Sequence, residues 1–121
     1  MDRARTNGPV VSGLSRQGFR VDDNIYAALA ITPERADGWS PPPLDVLDEA
    51  ALAPVLATDP PPEFILLGTG ATLVRPPAAL VRALEKRGIG IEAMDSRAAA
   101  RAWGMLRGEG RWISGAFYPI A

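Results

Sequence analysis

Phe64-Ile65-Leu66-Leu67-Gly68-Thr69-Gly70-Ala71-Thr72 is an unbroken apolar run of strand length that ends in a glycine-containing loop. That is the pattern of a strand buried on both faces, followed by its exit turn. Pro76 and Pro77 then open a helix in which Leu80, Val81 and Leu84 share one face, Arg82, Glu85 and Lys86 point elsewhere, and Gly88 ends the element. Ile89, Ile91 and Ala93 alternate with Gly90, Glu92 and Met94 as the next strand. Asp95 or Ser96 caps a third helix with a buried stripe of Ala99, Trp103 and Leu106, and with Arg97 and Arg101 one turn apart on another face. Trp112 to Tyr118 reads as the last strand, stopped by Pro119. Strand, helix, strand, helix, strand at these lengths predicts βαβ crossovers around a partly parallel sheet.

Upstream the pattern differs. Val10 to Leu14 and Gly18 to Val21 are short β-rich runs, and Asp22-Asp23-Asn24 turns the chain into Ile25 to Ile31, which together read as an antiparallel meander. Pro33, Gly38 and Pro41-Pro42-Pro43 interrupt residues 32–44, leaving Trp39 in an irregular connection with its ring on the core. Asp48 is a candidate N-cap between the staple positions Leu47 and Leu52, but Pro54 requires that helix to be short or kinked. Asp59-Pro60-Pro61-Pro62 reads as a rigid spacer inside the domain. The fold class is therefore α/β with a mixed sheet: antiparallel N-terminal strands joined to C-terminal βαβ units.

Composition bounds the chemistry. The 121 residues suit one domain, expected over 10–121 behind a flexible arm at 1–9. A hydrophobic fraction of 47% with 22% charged residues is globular composition. There is no Cys and no His, so thiolate and imidazole chemistry and soft metal sites are excluded. Proton transfer near neutral pH would fall to a carboxylate of raised pKa, a tyrosine, or the only lysine, Lys86. No signal-peptide pattern and no run of about 18 apolar residues occurs, so the expectation is a soluble, cytoplasmic protein. Net charge of −1 argues against nucleic acid as a partner. The charge is unevenly placed: residues 1–74 carry five Arg and ten acids, residues 75–121 seven Arg, Lys86 and four acids.

Gly68, Thr69 and Gly70 leave a strand where open α/β sheets bind ligands, and Asp95 and Ser96 leave the next strand on the same edge, with Arg75 and Arg101 able to approach. Together these seven residues make a candidate anion pocket. The third glycine of a dinucleotide fingerprint would fall at Leu73 and no Gly-Lys-Ser/Thr follows, so both nucleotide motifs are incomplete. The competing reading is structural, with glycines for a tight βα turn and helix capping at residues 95 and 96. Glu109 and Arg111 flank a glycine and could form a surface ion pair, while tryptophan and arginine together also describe an interface anchor.

The order Phe64 to Gly70, Met94-Asp95-Ser96, Ala98 to Leu106 and Glu109-Gly110-Arg111 resembles the NADH dehydrogenase (complex I) assembly factor 3 family, including its small bacterial members. Gly18-Phe19-Arg20 and Trp39 resemble that family's N-terminal half. Three positions depart from the family pattern: Ser96 replaces a threonine, Ala100 a cysteine, and Gly104 the asparagine after an aromatic residue. The resemblance implies a three-layer α/β sandwich and an assembly role beside a partner factor, with no enzymatic activity established for the family. The expectation is thus a non-catalytic interaction factor without metal or cofactor. Its interface would include Arg97, Arg101, Glu109 and Arg111. Its partners would be respiratory-complex subunits or another assembly factor, with any membrane association made through a partner. The alternative is a binder of an anionic small molecule, or a weak enzyme, at the loop after the central strand.

Overall fold

The computed structural model describes residues 8–121. Its centre is β6 (Phe64–Gly68), flanked by β7 (Gly90–Met94) and β8 (Ser114–Phe117), both parallel to it. Ile65, Leu66 and Leu67 have no exposed surface, as a strand covered on both faces requires. The parallel neighbours are joined through α2 (Ala78–Glu85) and α3 (Ser96–Gly108), matching the expected strand and helix order. β4 (Leu29–Ile31) pairs antiparallel with β8, and β5 (Ala36–Gly38) antiparallel with β4, giving the five-stranded order β5-β4-β8-β6-β7. A separate antiparallel sheet holds β1 (Gly13–Ser15), β2 (Gly18–Val21) and β3 (Asn24–Tyr26), in that order.

Alternation along each strand divides the core in two. On one face Leu29, Ile31, Leu66 and Phe117 meet Ala99, Ala100 and Trp103 of α3, together with Phe19 and Val21 of the small sheet. On the other Ala30, Ile65, Leu67 and Ala116 meet Leu80 and Leu84 of α2, and Leu52, Val55 and Leu56 at α1 (Ala53–Leu56). Three layers result: the small sheet with α3, the mixed sheet, and α1 with α2. Phe19 and Phe117 pack at 5.5 Å between ring centroids, tying the small sheet to the large one.

Several local expectations are corrected. The run from Ile25 to Ile31 is not one strand, because its two halves serve different sheets, with Ala27 and Ala28 carrying the chain across. A β-rich pattern reports half-burial but not which sheet supplies the partner. β5 occupies part of the stretch expected to be irregular. The hydroxyl of Thr32 accepts the Glu34 and Arg35 N–H groups, both at 3.1 Å, and the turn so formed closes a hairpin across Pro33. Trp39 does lie in the following connection, and its indole N–H donates to the Ala51 carbonyl at 3.0 Å. Asp48 accepts the Ala51 N–H at 3.1 Å, but the helix proper begins only at Ala53, with Pro54 in its first turn where no N–H is missed.

Residues 1–7 of the expected arm lie outside the described residues. Pro9, at its end, is attached to the domain: the Trp103 indole donates to its carbonyl at 3.0 Å. Leu106 is only half-buried, and the residue that continues the buried side of α3 beyond Trp103 is Arg107, at 8% exposure. Its guanidinium donates to the Arg111 carbonyl, so the long aliphatic stem packs while the head finds a backbone acceptor.

Candidate functional site

The loop leaving β6 and the start of α3 come together at the exit of the parallel strands. Asp95 is the N-cap of α3, its carboxylate accepting the Ala98 N–H at 3.0 Å. Ser96 is the first helical residue and does not cap. It is fully buried, accepts the Gly70 N–H at 2.8 Å, and donates to the Tyr118 carbonyl at 2.7 Å. The Ser96 N–H returns to the Gly70 carbonyl at 2.8 Å, and the Tyr118 N–H reaches the Gly68 carbonyl at 2.8 Å. One hydroxyl therefore ties the β6 exit, the α3 start and the end of β8.

Gly68 is required by this closeness. A Cβ there would stand 2.8 Å from the Ser96 hydroxyl, 3.0 Å from its Cα and 3.2 Å from the Cβ of Phe117. Gly70 has φ +104°, a conformation that L side chains rarely adopt. Thr69 holds the rest of the loop: its hydroxyl donates to the Thr72 carbonyl at 2.6 Å and accepts the Val74 N–H at 3.0 Å. Its own N–H donates to the Met94 carbonyl at 2.9 Å. The Thr69 and Gly70 amides, which would have faced an anion, are both engaged inside the protein.

Of the seven residues expected around a pocket, Gly68, Thr69, Gly70, Asp95 and Ser96 are brought together. Arg75 is exposed on the segment leading to α2. Arg101 instead lines a groove of about 280 Å³ with Val11, Ser12, Gly13, Leu14 and Ala100, between α3 and β1. Among the described residues no group of three or more acidic, His or Cys side chains could hold a metal ion, and no helix is long and apolar enough to cross a membrane.

The expected interface residues divide in a similar way. Arg97 and Arg101 are exposed one turn apart on α3, and Met105, a turn further, is 67% exposed. Arg111 pairs not with Glu109 but with Glu63, at 2.8 Å, and its guanidinium carbon lies 5.7 Å from the centre of the Phe64 ring. The hydrogen bonds from Arg111 hold the Glu63 carboxyl below the usual carboxylate range; loss of hydration opposes this, and the Trp112 N–H assists it. Glu63 lies 48 residues before Arg111, so no local pattern announced the pair. Sequence reasoning also missed Tyr118. Its hydroxyl donates to the Pro42 carbonyl at 2.7 Å and its ring packs edge-on against Trp39 at 5.1 Å. Burial, and secondarily the Asp45 carboxylate, raise its phenol pKa to about 12.

Fold and hydrogen-bonded knot together define a small three-layer α/β domain whose β6-exit loop amides are bonded within the protein. The chain belongs to the DUF498/DUF598 family of proteins of unknown function, whose model matches residues 11–118. It is 28% identical over 120 residues to the Danio rerio protein named NADH dehydrogenase [ubiquinone] 1 alpha subcomplex assembly factor 3, covering 98% of this chain and 69% of that one. The curated relatives of that name are matched over 60 to 69% of their own length. A Bordetella parapertussis protein of known crystal structure is 30% identical with a TM-score of 0.81, over 94% of this chain and 98% of that one. The solution structure of a Bordetella pertussis protein, termed a Mth938-like domain, superposes with a TM-score of 0.80 at 26% identity, over 98% of this chain and 90% of that one. The resemblance, expected over nearly the whole chain with its specific part in residues 64–121, and the α/β fold class are thus borne out.

Proposed function

We propose that this domain is a non-catalytic assembly or interaction factor acting in the biogenesis of a respiratory or other membrane complex. The observation that carries the reading is the similarity, over nearly the whole chain, to proteins named as complex I assembly factors. The chemistry is consistent with it: the loop amides are used internally, and the chain has neither His nor Cys. The contact surface in this reading is the outer face of α3, where Arg97 and Arg101 are exposed beside Met105. Glu109 and the Arg111–Glu63 pair sit at its far end. Exposed guanidinium groups steer encounter and select a partner of opposite charge. The partner is a respiratory-complex subunit or a second assembly factor, and the protein works from the cytoplasm, reaching the membrane through that partner.

The test is photo-crosslinking in the native host from a benzoylphenylalanine placed at Arg97 or Met105. The expected product is an adduct with a subunit or assembly factor of a membrane complex, lost when Arg101 is replaced by Glu. Adducts confined to unrelated abundant proteins, or unchanged in the Arg101→Glu chain, would overturn the reading.

A further inference from the structure

We propose that the open edge of β1 receives an extended, acidic segment of a protein partner by strand addition. The inference rests on the interaction reading above and names how the partner is held. β1 stands at the end of the order β1-β2-β3, so among the described residues no strand lies beside the other side of Gly13–Ser15. An unpaired edge presents a row of backbone donors and acceptors that a partner strand can satisfy.

Two grooves flank this edge and meet at Gly13 and Leu14. The first, of about 280 Å³, runs between β1 and α3 and is floored by Val11, Leu14 and Ala100, with Arg101 beside them. The second, of about 260 Å³, lies on the outer face of the small sheet and contains Arg20 and the partly exposed Ile25. Each groove has an arginine in its lining, and among the described residues neither has a carboxylate. Arg20 and Arg101 are both exposed, and among the described residues neither makes an ion pair.

An extended chain points successive side chains to opposite sides. A segment paired with β1 would therefore offer one set of side chains to the Arg101 groove and the alternate set to the Arg20 groove. Carboxylates in both sets, with apolar residues over Val11 and Leu14, complement what the two grooves present. A basic segment would face like charge on both sides.

The experiment is selection of a phage-displayed random dodecapeptide library on the immobilised full chain, followed by binding and amide-shift measurements with the enriched peptides. Expected are acidic, proline-free sequences that shift the Gly13, Leu14 and Ser15 amides. Arg101→Glu should weaken them at least about tenfold, equivalent to about 1.4 kcal/mol, and N-methylation of alternate peptide nitrogens should abolish binding. Basic or amphipathic helical sequences, no enrichment, or self-association of the chain at β1 would each overturn the proposal. Acidic peptides that depend on Arg101 yet tolerate N-methylation would refute strand addition while leaving the interaction reading standing. Failure of that reading would appear separately, in the crosslinking at Arg97 and Met105.

Discussion

Ser96→Ala is the sharpest probe of the knot at the strand exits. The hydroxyl is inaccessible to water, accepts the Gly70 N–H at 2.8 Å and donates to the Tyr118 carbonyl at 2.7 Å. Alanine leaves the buried Gly70 N–H without a partner, costing about 1 to 3 kcal/mol, and removes the bond to Tyr118, worth about 0.5 to 1.5 kcal/mol. Alanine's better helix propensity returns a few tenths of a kcal/mol at most, since the site lies in the first turn. The expected net loss is about 2 to 4 kcal/mol, a large share of the roughly 5 to 15 kcal/mol that holds a domain of this size. With a urea slope of about 2 kcal/mol per M, the middle of the usual range for small proteins, the unfolding midpoint should fall by about 1 to 2 M. The Gly70 amide should also exchange faster in the folded protein than in the parent. A variant within about 0.5 kcal/mol of the parent, with Gly70 protection unchanged, would refute the bridging role of the hydroxyl.

Trp103 has no exposed surface and its indole N–H holds the Pro9 carbonyl, so Trp103→Ala should lose about 3 to 5 kcal/mol in urea unfolding. Arg101→Ala, at an exposed position, should change stability by about 0.5 kcal/mol or less; a large loss there would move that arginine from recognition into internal structure. The raised Tyr118 phenol pKa favours the neutral form in the folded state. Its contribution to stability is therefore complete below the unfolded value of about 10 and is lost as pH rises from there through about 12. Absorbance titration near 295 nm should show a late phenolate phase that Tyr118→Phe removes, and an unchanged titration curve in that variant would contradict the raised pKa of this half-buried phenol.

The C-terminal half was legible in the chain because its signals are local. A central strand must be apolar on both faces, so Phe64 to Leu67 read correctly. The α2 and α3 boundaries follow from Pro77, Gly88 and the cap at Asp95, each acting within one turn. The absence of His and Cys likewise restricts the chemistry from composition alone. What remained hidden was pairing over long separations. Nothing near Ser96 shows that its hydroxyl meets Gly70, 26 residues earlier, and Tyr118, 22 residues later; those contacts depend on β6, β7 and β8 lying side by side. Arg111 offered two acidic neighbours to choose between only once β8 ran beside β6 and brought Glu63 to it in place of Glu109. Helix spacing sets Arg101 on a face away from Ala99 and Trp103, but only the packing of the small sheet beside α3 brings β1 to it and forms the groove. Short-range preferences decide where elements start and stop, whereas hydrogen-bond partners and grooves arise from packing between elements, which depends on the whole chain at once.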